Sequence, residues 1–248
     1  MKKYFILFLG SALSQLIFGQ TLFFSTMKIE FEKTVNIRNQ IKEQNPAIFD
    51  RIKNQIPETS VSYFDFISDK NKTVYKTGRE APSDPRSRMF LGSSNLENSV
   101  IYTDLDSGIV IAKKPLYEEV FLMQDSILNI KWKLTADTRN IAGFECRKAV
   151  GILYDTIGIF AFYTDELMVS GGPECINGLP GMILGLAVPR LHTTWFATKV
   201  EVNSVPVKEI VPEKKGKKVT RKGMIETVEK ASGGWGGNIS VLRVTLVI

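Results

Sequence analysis

Histidine is almost missing from this chain. One, His192, stands among 248 residues, beside two cysteines and three tryptophans. A Ser-His-Asp triad or a Cys-His pair would therefore have to use His192. A four-ligand zinc site cannot be completed from histidine and cysteine alone. There is no C-x-x-C clamp, no Gly-x-Ser-x-Gly elbow and no dinucleotide fingerprint. The run Gly233 to Gly237 lacks the Lys and Ser/Thr that a phosphate-cradling loop needs. Beyond the N-terminus no apolar run is long enough to span a bilayer, which excludes a polytopic membrane protein. A broad basic face is missing as well. The net charge is +6, but residues 213–222 (EKKGKKVTRK) hold six basic side chains against one acidic one, so the excess is local. That argues against a nucleic-acid binder. The run reads as a solvated loop, the alternative being a patch for anionic lipid or polysaccharide.

What is present points to an exported, β-rich protein. The chain is 44% hydrophobic and 23% charged, enough apolar material for a core. Residues 1–19 have the form of a signal peptide: Lys2 and Lys3, an apolar Tyr4 to Leu13, and a small Gly19 at the cleavage position. Residues 20–248 then form one domain, placed in the periplasm, at the outer membrane or outside the cell. In an oxidising compartment Cys146 and Cys175 are a disulfide candidate, with two buried thiols or a catalytic or metal role as alternatives.

Alternation dominates the pattern. Met27, Ile29 and Phe31 alternate with Lys28, Glu30 and Glu32, the period of a half-buried strand. Asn45-Pro46 starts a short helix with Ile48, Phe49, Ile52 and Ile56 at helical spacing. Residues 60–68 and 73–77 form a hairpin, 78–99 a long loop, and 99–134 a meander whose breaks fall at Asp106–Gly108, Pro115 and Asp125-Ser126. Strands follow at 141–150, 157–163 and 194–202. The segment 208–222 is a basic loop, Thr220 caps a second helix to Ala231, and 240–248 closes the chain as a strand.

Residues 171–189 (GGPECINGLPGMILGLAVP) stand apart. Gly and Pro cluster at both ends, and Met182 to Val188 is apolar apart from glycine, so it predicts a strand buried on both faces. The string Gly178-Leu179-Pro180-Gly181-Met182-Ile183 resembles the motif that gives the GLPGLI family of exported bacterial proteins its name. Trp132-Lys133-Leu134, the block 141–149, Phe162 to Glu166 and Trp195 to Val200 are similar to that family's pattern too. The resemblance implies export and a β-rich fold, and brings no catalytic residue or cofactor with it.

The expected fold is mainly β: an antiparallel curved sheet or partly open barrel with two short helices. The expected function is a non-enzymatic binding or carrier protein for an apolar ligand or envelope component, or an accessory protein, with no cofactor and no metal. Two alternatives stay open. One is a hydrolase or metal-handling protein using Cys175, His192 and carboxylates such as Asp165 or Glu174. The other is a surface interaction module built on residues 213–222.

Overall fold

The computed structural model describes residues 26–82, 86–87, 90, 95–116, 118–203, 207–232, 243–246 and 248. The expected signal peptide, nine residues of the 78–99 loop (83–85, 88–89 and 91–94) and the 233–237 glycine run lie outside them.

Alternation along β1 (Thr26–Asn36) places Met27, Ile29, Phe31 and Val35 in the core. This strand is the centre of the molecule, because it pairs on one side with β2 and on the other with β11. From its first side a meander runs outward: β2 (Thr59–Asp69), β3 (Lys72–Thr77), β4 (Val100–Asp104), β5 (Ile109–Leu116) and β6 (Glu119–Ser126). From the outer edge of the other side a second meander runs inward: β7 (Lys131–Ile141), β8 (Phe144–Leu153), β9 (Ile157–Thr164), β10 (Met182–Val188) and β11 (Thr193–Val202). With β12 (Lys217–Val219) the order is β12-β6-β5-β4-β3-β2-β1-β11-β10-β9-β8-β7, one open sheet of twelve strands that does not close into a barrel. Every pairing is antiparallel except β12 on β6. The protein is thus mainly β, as the alternation predicts.

The helices are short. Asn36 caps α1 (Ile37–Gln44), its side chain accepting the Asn39 N–H at 2.9 Å. Asn45 caps α2 (Pro46–Ile52) in the same way, with Pro46 in the first turn. In α3 (Arg221–Ser232) the Thr220 hydroxyl accepts the Gly223 N–H. The spacing predicts α2 and α3; α1 adds a third helix, because apart from Ile37 it buries nothing and shows no apolar stripe.

Three sequence expectations are corrected. Pro115 does not break the meander but lies inside β5, opposite Val120. The stretch 141–150 is not one strand: Ala142-Gly143, with φ of +51° and +91°, turns β7 into β8 as a two-residue hairpin. At the C-terminus, residues 243–246 are helical instead of extended. Val244, Leu246 and Ile248 are buried there, and the fully buried Lys114 ammonium donates to the Thr245 and Ile248 main-chain oxygens. A short apolar run fits either geometry, and here tertiary contacts choose the helix.

The inner faces of both meanders share one core with the segment between β9 and β10. Phe66 of β2 approaches Gly171, and Lys33 of β1 pairs with Glu174 at 3.2 Å. The concave side of the sheet is therefore filled by its own chain. Among the described residues no helix is long and apolar enough to cross a membrane.

Candidate functional site

The string Gly178 to Ile183 serves this filling. Gly178 (φ +92°) and Gly181 (φ +144°) bend the chain into β10. A Cβ on Gly181 would stand 2.1 Å from the Thr164 carbonyl oxygen, so no other residue fits. Leu179 is buried, and Met182 and Ile183 have no exposed surface. Trp132 of β7 closes the bend by donating its indole N–H to the Asn177 carbonyl at 3.0 Å. β10 is buried on both faces between β9 and β11, as the apolar run predicts. The motif is scaffold, and its side chains do not face an open cavity.

Cys146 and Cys175 are free, buried thiols; the candidate disulfide is not formed in this structure. Burial pushes the Cys146 thiol up to about 11 and raises that of Cys175. Buried thiols held in their protonated form are poor nucleophiles. The charged neighbours of Cys175 are Lys114, Arg221 and Glu174, whereas His192 binds Glu43, so no contact joins Cys175 to His192. Glu174 is taken up by Lys33, and Asp165 by Arg147 at 3.5 Å. Among the described residues no three His, Cys, Asp or Glu side chains gather to hold a metal ion. The basic segment is only partly loop: Lys217 to Val219 extend the sheet as β12, with Lys217 paired to Glu119 and Lys113 to Glu213.

Backbone strain points elsewhere. Seven non-glycine residues among those described have positive φ, and five of them, Ala142, Tyr154, Asp155, Glu174 and His192, sit in the connections of the β7–β11 meander. A bulky side chain in that region is an outlier that the surroundings must hold in place, and such residues gather at ligand sites. Tyr154 (φ +49°) and Asp155 (φ +59°) form the β8–β9 hairpin, closed by the Thr156 N–H to the Leu153 carbonyl.

Tyr154 projects into a cleft of about 820 Å³. One wall is this hairpin with Ile157, Gly158 and Phe160; a second is Pro189 and Arg190 with Glu43 of α1; the third is Ile225 of α3 with Arg243 and Val244. The second wall is tightly built. The Asn36 N–H reaches the His192 carbonyl (2.9 Å), Gln40 donates to the Leu191 carbonyl (2.7 Å), and Arg190 donates to Glu43 Oε1 (2.6 Å). His192 Nε2 lies 2.6 Å from Glu43 Oε2. On the third wall Arg243 pairs with Glu229 at 2.6 Å. The cleft thus offers apolar and aromatic surface between polar groups whose charges are already balanced. Tyr154 is 47% exposed. Burial raises its phenol above the ordinary value, and it lies close enough to Arg221, Cys175 and Asp125 to feel their charges.

The profile of the N-glycanase peptide, N-terminal domain family matches residues 95–221, just over half of the chain. The chain belongs to this family. The matched stretch starts at the short turn before β4 and ends at the first residue of α3, so it carries the whole β7–β11 meander. Solved structures of PNGF-II in space groups P21 and C2 are similar to it, with TM-scores of 0.51 and 0.52 and 15% identity in each. The alignments cover 79% and 83% of this chain but 32% and 33% of PNGF-II, so this N-glycanase-type domain spans about one third of the length of those structures. Comparison with curated proteins finds no match.

Tyr154, Glu43 and Arg190 lie in no motif and are of none of the rare reactive types. The one available signal was the sequence around 154–156 as a turn between two strands. The site residues come from five separated stretches, and no spacing rule connects them.

Proposed function

We propose that this N-glycanase-family domain is an exported, non-enzymatic glycan-binding module, with the Tyr154 cleft as its sugar site. Tyr154 carries the reading: an aromatic ring half in solvent, held in a strained backbone at the mouth of a concave site. The apolar face of a sugar ring packs on an aromatic face, and its hydroxyls need fixed donors and acceptors around the rim. Glu43 with Arg190, and Glu229 with Arg243, supply such groups already oriented by their mutual bonds. Because these charges are paired, a neutral glycan enters without leaving a buried charge unpartnered. Membership of the family of N-terminal domains of N-glycanase peptides supports an N-linked glycan as ligand. The string at 178–183, with its likeness to the GLPGLI family, belongs to this reading as scaffold. A carrier for an apolar ligand is less favoured, since the sheet's concave side is filled by residues 167–182.

The test is calorimetric titration of the full chain with the core pentasaccharide of an N-glycan. Tyr154→Asn tolerates the left-handed backbone but loses the ring. It is expected to weaken binding roughly tenfold while leaving stability equal or higher by up to about 1 kcal/mol. Absence of binding by the parent, or equal binding by Y154N, would overturn the reading.

A further inference from the structure

The outer face of the β7–β11 meander breaks the rule that governs the rest of the sheet. On a solvent-facing side alternation should place polar residues. Here Phe160 and Phe162 of β9 and Phe196 of β11 stand half-buried on that side. Phe162 and Phe196 are both opposite Gly185 of β10, and their rings lie 6.5 Å apart across it. A Cβ on Gly185 would meet the Phe196 ring at 2.8 Å, so the missing side chain is what lets the aromatic row form.

Cations border this row. Arg139 of β7 lies with its guanidinium 4.5 Å from the Phe196 ring centre and 5.9 Å from that of Phe162. Lys148 of β8 lies 5.6 Å from the Phe160 ring. Lys131 and Lys133 of β7 oppose Ile152 and Val150, and Val150 opposes Phe160, so register puts them on the same face. Asp137 is tied to Lys148 at 3.0 Å. Arg139, Lys131 and Lys133 make no ion pair among the described residues. Beyond β11 the face also carries Glu30, held by Arg79, and Glu32, which accepts from Tyr63. Lysines alone would be ordinary protection of an exposed edge strand. They do not account for three aromatic rings laid across β9 and β11 with an unpaired guanidinium above them.

We propose that this face binds an acidic polysaccharide, its sugar rings lying on Phe162 and Phe196 and its carboxylates meeting Arg139, Lys133 and Lys131. A guanidinium stacked on aromatic rings keeps its edge N–H groups free for a bidentate carboxylate bond. The unpaired positive charge is complementary to a uronic-acid chain and not to the neutral glycan assigned to the cleft. Phe160 also borders the cleft, so the face begins where the cleft ends.

Affinity electrophoresis of the full chain through gels containing polygalacturonate, or uncharged dextran, tests this. The parent is expected to be retarded by polygalacturonate alone, with retardation falling as salt rises. The exposed double variant Arg139→Gln with Lys133→Gln should weaken binding roughly tenfold. Phe162→Leu should weaken it with the salt dependence unchanged. Lys214→Gln with Lys215→Gln, and Tyr154→Asn, should bind as the parent does. The proposal is overturned if the parent is not retarded, if R139Q/K133Q binds normally, or if the 214/215 variant loses as much. Loss in Y154N would move the site into the cleft and overturn it too. Phosphatidylglycerol vesicles form the last arm: binding to them that depends equally on Arg139 and Lys133 would assign the face to a membrane surface instead.

Discussion

The two meanders that flank β1 are built to the same plan and put to different uses. Each has five antiparallel strands with inward apolar residues in one shared core. In β2–β6 the outer edge is covered: β12 pairs along β6, and the Arg221 backbone N–H and side chain at the start of α3 bind Asp125 and the Ser126 carbonyl. Among the described residues its connections carry one strained non-glycine residue, Lys70. In β7–β11 no strand among the described residues pairs along the outer edge, which carries charge; the turns hold Ala142, Tyr154, Asp155 and His192 in the left-handed region, and the β9–β10 connection dives inside. The first meander closes the fold. The second one stores the irregular backbone, and the cleft and the aromatic face both belong to it. Regular scaffold on one side lets strain be tolerated on the other.

Glycine replacement breaks this comparison most sharply. Gly181→Ala in the second meander would drive a Cβ into the Thr164 carbonyl and should cost about 4 kcal/mol or prevent folding. Gly108→Ala in the first has the same kind of backbone (φ +67°) but open space around it, and should cost only about 1 kcal/mol. Urea titration of both variants measures the difference; equal costs would mean the interior bend is not the constraint described. Next in size is the ion pair that ties β1 to the interior segment. Lys33→Met would leave Glu174 buried without its partner and should cost about 3 kcal/mol, while adding Glu174→Gln should recover part of the loss. Additive costs in the double variant would show that the pair is not coupled.

The smallest effect separates the meanders by pH. The thiol of Cys146 is pushed from 9.0 to about 11 by burial. Below pH 9 it is protonated whether the chain is folded or not. Between pH 9 and 11 the unfolded thiol releases its proton and the folded one does not, so stability falls as pH rises, by an amount of order 2 kcal/mol. Burial of Tyr75 acts in the same direction, and the lowered value of Lys114 in the opposite one, both in the first meander. Comparing Cys146→Ala with the parent isolates the thiol: the variant should lose less stability over this range. Parallel curves would place the alkaline sensitivity on groups other than Cys146.

Much of the fold was legible. Period-two alternation marked β1, β2 and most of the strands after it, and the unbroken apolar run marked β10, because burial on both faces leaves no polar position. Caps marked α2 and α3. Helix α1 escaped because Ile37 is its only buried residue. The C-terminal turn was misread because Val244 and Leu246 are equally compatible with a strand, and only their packing with Lys114's acceptors decided it. Cys175 and His192 drew notice as rare reactive types, yet burial keeps one inert and Glu43 holds the other. Tyr154 was invisible because nothing in a tyrosine announces a positive φ.

The sequence by itself determined a curved antiparallel sheet threaded by a glycine- and proline-bracketed strand, since both follow from periodicity and backbone freedom, which are local. Only the tertiary structure decided that Glu43, Tyr154, Arg190, Ile225 and Arg243 share one cleft, and that Arg139 lies over Phe162 and Phe196. Those neighbours are set by strand order and by the curl of the sheet, and distances along the chain carry no record of either.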